Sequence, residues 1–232
     1  IIMRMKKINM HKFMGVFNMK KGIIKNVIIT GLISIMAVGL VGCGNSGTKK
    51  EDTGVLDSIK ESGKLVVGLS ADYAPYEFHI IENGQDKIVG FDVSLAKEIA
   101  DELDVELEIK EMDFDALITA LPAGKVDMVI SGMNPTEKRK KAVDFSDIYY
   151  TANHGILVRA EDADKYTNFS DLDGLKVGAQ LGSTQAELAS TLIKDANLQL
   201  LSNVNNLILE LKSGKVDAVV MEVGVAQMAV KN

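Results

Sequence analysis

Short apolar runs alternate along this chain with segments whose apolar residues return every three or four positions. The run KLVVGL at 64–69 suits a buried strand. Beyond it, Ala96, Ile99, Ala100 and Leu103 share one helical face, with Asp92 as the expected N-cap. The run VELEIK at 105–110 alternates strictly, the period of a half-buried strand. Residues 116–121 predict a helix stopped by Pro122 and Gly124, and residues 126–130 the next strand. After Tyr149 and Tyr150 the pattern restarts, with strands predicted at 154–158, 175–179 and 216–221 and helices at 185–193 and 207–211. Strands alternating with helices imply an α/β fold on a mostly parallel sheet.

The second half repeats a piece of the first. Leu117-Ile118-x-x-Leu121-x-x-Gly124-Lys125-Val126-Asp127-x-Val129 matches Leu207-Ile208-x-x-Leu211-x-x-Gly214-Lys215-Val216-Asp217-x-Val219. Each copy reads as a helix, a glycine C-cap and a strand. Two copies in the same order predict two lobes of similar build, with residues 150–155 as the crossing. A longer repeat array is excluded. Open parallel sheets bind ligands beyond the C-terminal ends of their strands. In this chain those ends lead into residues 131–139 and 221–224.

Residues 1–43 read as an address and not as part of the fold. Lys20, Lys21 and Lys25 precede an apolar stretch at 27–41 that is shorter than the roughly 20 residues needed to span a bilayer. It ends in Leu40-Val41-Gly42-Cys43, which resembles a bacterial lipobox with Cys43 as the lipidated residue. The plain alternative is a core helix with Cys43 as a buried thiol. Met19 is read as the start, with residues 1–18 as upstream excess. Residues 44–53 read as a polar tether, 54–152 as the first lobe and 153–232 as the second.

Composition narrows the chemistry. A net charge of -6 over 232 residues gives no electrostatic footprint for nucleic acid. The single cysteine excludes an internal disulfide, and the three histidines lack metal-ligand spacing. Nor is there a nucleophile motif or phosphate loop. No metal, no cofactor and no catalysis are expected.

The candidate site residues suit a zwitterion. Arg139 can clamp a carboxylate with two parallel hydrogen bonds. Ser183 and Thr184 lie at a helix start, where N–H groups point outward, and Thr184-x-x-Glu187 reads as a capping box. Glu222, at a strand end, supplies an anion. Ser131 and Asn134 add hydrogen-bonding groups, and Tyr73 and Phe114 apolar faces. Each has a plainer alternative: Arg139 as part of a solvated charged run, Glu222 as a surface acid, Thr184 as a cap, Tyr73 and Phe114 as core.

The segments SADYAPYEF at 70–78, GFDVSLAK at 90–97, DFDALI at 113–118, GKVDM at 124–128, NPTEKR at 134–139 and DFSDIYY at 144–150 resemble the polar amino-acid binding proteins of ABC importers, family 3 of the bacterial extracellular solute-binding proteins. The resemblance runs from about Lys64 to the end of the chain. It implies a two-lobe, periplasmic-binding-protein-like fold of type II that closes on its ligand about two hinge strands. It also implies a free amino acid as ligand and the transmembrane subunits of an ABC permease as partner. A lipid anchor on the outer face of a bacterial cytoplasmic membrane and a monomeric state complete that expectation. By motif match, Arg139 holds the α-carboxylate with help from Thr184, and Glu222 the α-ammonium. Tyr73 and Phe114 bracket the side chain, and Ser131, Gly132 and Asn134 line the floor. Gln180 and Ser183 are counted among the binding positions.

Two departures from the family pattern stand out. Several basic-amino-acid binders carry aspartate at the position of Ser70, although Asp72 and Glu77 are close by. The family chain also continues past this point, so exposed apolar surface is expected in the first lobe. The ligand class expected is arginine, glutamine, lysine or histidine, with arginine or another polar or basic amino acid favoured. The alternatives are a sensory ligand-binding domain and a dehydratase-like enzyme using Glu222 or His154.

Overall fold

A computed structural model describes residues 3–4 and 54–231. Met3 and Arg4, expected to lie upstream of the fold, instead pair as a short strand with residues 156–157; the rest of the expected leader, its start at Met19, the lipidation site Cys43 and the tether up to Thr53 lie outside the described residues. Among the described residues, no helix is long and apolar enough to cross a membrane.

Two sheets share one plan. In the first, β2 (Lys64–Leu69) is central, with β6 (Glu106–Glu111) and β7 (Met128–Val129) parallel to it on either side. In the second, β9 (Lys176–Gln180) is flanked in parallel by β10 (Asn197–Leu201) and β11 (Ala218–Glu222). The second sheet then continues through β8 (His154–Val158), antiparallel to β11, and β1 (Met3–Arg4), antiparallel to β8. A third, antiparallel sheet holds β3 (Asp72–Tyr73), β4 (Glu77–Glu82) and β5 (Gln85–Val89). The helices are α1 (Val55–Ser62), α2 (Phe91–Glu102), α3 (Phe114–Ala120), α4 (Thr184–Leu192), α5 (Val204–Lys212) and α6 (Val223–Lys231).

The sequence repeat has a matching structural repeat. In α3 and α5, Leu117 and Leu207 are almost fully buried. Gly124 and Gly214 follow with φ of 65° and 75°, the left-handed turn that a side chain disfavours. Asp127 then accepts the amide of Val66 at 2.9 Å, and Asp217 accepts that of Lys176 at 3.1 Å. In return the amides of Asp127 and Asp217 each donate to the carbonyl of the same residue at 2.8 Å. One aspartate therefore pins β7 to β2, and the other pins β11 to β9. Gly68 and Gly178 are matched too: a Cβ at either would press on the leucine of the packed helix, at 3.1 Å from Leu117 and 3.0 Å from Leu207.

Several expectations need correcting. Asp92 does not cap α2. Gly90 is the N-cap, because a Cβ there would lie 2.1 Å from the Tyr76 carbonyl oxygen, and Asp92 turns inward as a buried side chain. The strand expected at 126–130 is only two residues long, Met128 and Val129, paired with Val67 and Gly68. The apolar pattern does not predict β1, β3, β4, β5, β10, α1 or α6. Large exposed apolar side chains gather before residue 151, with Phe91 in ring contact with both Tyr149 and Tyr150.

These contacts predict how the helix–glycine interlock responds to mutation. Leu207→Ala should cost about 2–5 kcal/mol in chemical unfolding, and Leu209→Ala, on the exposed face of α5, less than about 0.5 kcal/mol. Gly178→Ala should cost about 1–3 kcal/mol through overpacking. In the Leu207→Ala background that cost should shrink, because the truncated side chain makes room for the new methyl.

Candidate functional site

The C-terminal ends of the central strands lead to one place. Ser70 follows β2, Ser131 follows β7, and Gln180 ends β9. The Ser70 amide donates to the Ser131 hydroxyl at 3.1 Å, and that hydroxyl donates to Glu77 Oε1 at 2.7 Å. The Gly132 amide donates to Asp92 Oδ2 at 2.7 Å, where the Tyr149 hydroxyl also donates at 3.1 Å. Two buried carboxyls, Glu77 and Asp92, thus hold the loop at 131–132 in place.

Contacts from the C-terminal half close the site. The Gln185 side-chain amide donates to the Tyr73 hydroxyl at 3.1 Å, and the Glu222 backbone amide lies 3.4 Å from the same oxygen. Asp72 Oδ2 accepts the amide of Val204, the first residue of α5, at 2.6 Å, placing a carboxylate at a helix N-terminus. Thr184 donates to Asn134 Oδ1 at 3.1 Å. Arg139 donates from Nη1 to the Asn134 carbonyl and from Nη2 to the Gly182 carbonyl, both at 2.9 Å. Its guanidinium sits 5.4 Å from the centre of the Phe114 ring.

Between these groups lies a narrow cavity lined by Ser70, Tyr73, Glu77, Phe114, Ser131, Gly132, Asn134, Gln180, Thr184 and Gln185. Seven of the ten candidate residues line it: Tyr73, Phe114, Ser131, Gly132, Asn134, Gln180 and Thr184. Arg139, Ser183 and Glu222 sit behind the lining. Ser183 is spent as the cap of α4, accepting the Ala186 amide at 3.1 Å, so the box expected from Thr184 and Glu187 does not form. Of the three further lining residues, Ser70 is the position at which several basic-amino-acid binders carry aspartate, Glu77 is an acid near it, and Gln185 is not among the candidates. The signal for Gln185 was its place one step after Thr184 at the helix start.

Electrostatically the site is unusual. Arg139 is only 9% exposed, so it does not belong to a solvated charged face. Among the described residues no carboxylate ion-pairs with it, and burial lowers its pKa. Glu222 is 5% exposed, with its carboxyl hydrogen-bonded to the Tyr76 hydroxyl. Burial pushes it up to about 7, against the effect of that bond and with a small push from Asp92. Burial, then the Asp92 charge, raises Glu77 to about 10, against the Ser131 hydrogen bond. A cation and several acids are thus desolvated around one cavity without pairing with each other. Such groups are costly unless an incoming molecule completes them.

The comparisons agree with this geometry. Residues 65–222 match the family described as bacterial extracellular solute-binding proteins, family 3. The arginine-binding extracellular protein ArtP of Bacillus subtilis is 43% identical over 192 residues, which are 81% of this chain and 69% of that protein. The crystal structure of the amino acid ABC transporter substrate-binding protein AbpA of Streptococcus pneumoniae, bound to L-arginine, superposes with a TM-score of 0.74 at 45% identity, over 76% of this chain and 74% of that one. The ancestral amino acid-binding protein AncCDT-1, a precursor of cyclohexadienyl dehydratase, superposes with a TM-score of 0.73 at 42% identity, over 77% and 78% of the two chains. The fold that places these residues around one cavity is therefore a known one, and this chain belongs to the bacterial extracellular solute-binding proteins, family 3.

Proposed function

We propose that this chain captures a free polar or basic amino acid, with arginine the best fit, between two lobes and presents it to the transmembrane subunits of an ABC permease. The observation that carries the reading is the trio of buried, uncompensated groups around one small cavity: Arg139, Glu222 and Glu77. Arg139 offers two N–H donors to an α-carboxylate once they leave the Asn134 and Gly182 carbonyls. The first turn of α4, at Thr184 and Gln185, adds backbone donors. Glu222 takes the α-ammonium, and that cation returns its carboxyl to the ionised form. Glu77 stands in the wall for the far end of the ligand, where a cationic side chain would find a carboxylate. Tyr73 and Phe114 supply the apolar walls between. The relatives named for arginine support the same ligand class.

The lobes of this proposal are residues 54–152 and 153–232. Ligand bridges them and shifts the population toward the closed arrangement. Anchoring through Cys43 on the outer face of a bacterial membrane, and action as a monomer, belong to the same reading. Binding and not turnover is the proposed activity. The likeness to a dehydratase precursor makes release of product from cyclic acids the assay that would show otherwise.

Thermal-shift screening of the twenty amino acids tests the reading directly. Arginine, or a few polar and basic amino acids, should raise the melting temperature, with about 2.7 kcal/mol of stabilisation at a hundredfold excess over Kd. No shift with any of them, from a folded sample, overturns the proposal. Arg139→Met should weaken the best ligand by ~30- to 1,000-fold in calorimetric titration, the ~2–4 kcal/mol attached to a buried charge that loses its partner. Equal affinity in that variant would remove Arg139 from the site.

A further inference from the structure

Glu77 and Asp92 are two acids packed side by side, 1% and 0% exposed. Each carboxyl has one well-served oxygen. Glu77 Oε1 takes the Ser131 hydroxyl, and Asp92 Oδ2 takes the Gly132 amide and the Tyr149 hydroxyl. The other oxygens, Glu77 Oε2 and Asp92 Oδ1, are buried with no donor. The two side chains are nevertheless within hydrogen-bonding reach of each other. Two unserved acceptors in one buried place are resolved at once by a single proton between them.

We propose that Glu77 and Asp92 share that proton, and that the pair is the specificity element of the cavity: a cationic ligand side chain displaces the proton to solvent, whereas a neutral polar side chain leaves it in place. The proposal rests on the amino-acid reading above and extends it. The proton resides on Glu77, because Asp92 accepts two donors on its other oxygen and Glu77 only one. Of the groups facing the pair from other elements, the acids oppose a second negative charge, whereas the Tyr149 hydroxyl and the Gly132 amide, which donate to Asp92 Oδ2, favour one. Asp72 and Tyr73 face it from β3, Tyr149 from the segment before the crossing, and Glu222 from β11. No lysine or arginine among the described residues forms an ion pair with either acid. Burial and the Asp92 charge accordingly push Glu77 up to about 10. When a guanidinium or ammonium arrives, its positive charge takes over the proton's role. The Glu77 O–H bond breaks, the proton passes to buffer, and the pair carries two negative charges against the ligand's one positive charge. A neutral amide or ureido group accepts from, or donates to, the protonated Glu77 with no change of charge.

Calorimetry of the full chain at pH 8, in phosphate and in Tris, counts the protons exchanged on binding. The two probes are L-arginine and its neutral isostere L-citrulline. Glu222, near 7, is already mostly ionised at pH 8 and faces the same α-ammonium in both ligands. Arginine should release close to one proton more than citrulline. Its affinity relative to citrulline should rise by up to tenfold per pH unit between pH 7 and 9. Glu77→Gln should erase the difference. If that variant does not fold, the wild-type counts alone decide. If citrulline binds too weakly to titrate, an arginine count near one supports the proposal and a count near zero overturns it. Equal counts for the two ligands, both bound, overturn the shared-proton pair and leave the amino-acid reading standing. Failure of arginine and every other basic amino acid to bind overturns both.

Discussion

The site depends on charge that has been taken out of water and left without an equal partner. A desolvated guanidinium or carboxylate survives inside a protein only when hydrogen bonds or a counter-charge repay its lost hydration. Here Arg139 is held by two neutral carbonyls and a ring face, and Glu222 by a tyrosine hydroxyl. Those contacts keep each group in position and fall short of neutralising it. On the proposed function this deficit is the source of recognition, because a molecule bearing a carboxylate and an ammonium at the right separation would complete both ends. The fold supplies the rigidity that this requires. Central strands end at the cavity, and aspartates lock β7 and β11 to them.

Much of that fold was legible in the residues because it is written twice. The copies beginning at Leu117 and Leu207 put a buried leucine, a left-handed glycine and a strand-pinning aspartate at the same offsets. Local chemistry sufficed to read them. The third sheet escaped because its register comes from a turn and not from apolar periodicity. Glu82 pairs with Gln85 across Asn83 and Gly84, a two-residue turn with φ of 53° and 76° that the Asn-Gly pair announces. The strand β10 and the helices α1 and α6 were missed as well, although α1 has a marked amphipathic face with Ile59 buried.

The candidate site was legible where function and residue type coincide, and obscure where they part. Arg139 sits in a run of charged residues, and nothing local distinguishes it from Lys138 or Lys140, yet it alone of the three is buried. Thr184 and Ser183 were both recognisable as helix-start residues. Their division of labour, Ser183 capping and Thr184 facing Asn134, depends on where α4 begins by a single residue. Asp92 misleads in a different way. Its position suits a cap, but the steric demand at Gly90 shifts the helix start and turns the carboxylate toward Glu77. Long-range packing, and not propensity, assigned these roles.

Asp72 has a consequence beyond its immediate neighbours. On the proposed two-lobe reading its carboxylate is a latch between the lobes, engaging the leading amide of α5 without lining the cavity. Any movement that draws β3 away from α5 strips a buried amide and a buried carboxylate of their mutual bond. The work of parting the two halves is then set in advance by residues that never touch the guest. Affinity in such a molecule is the product of two terms, the fit at the cavity and the ease of parting. Evolution can adjust the second at Asp72 or Val204 while every lining residue stays the same.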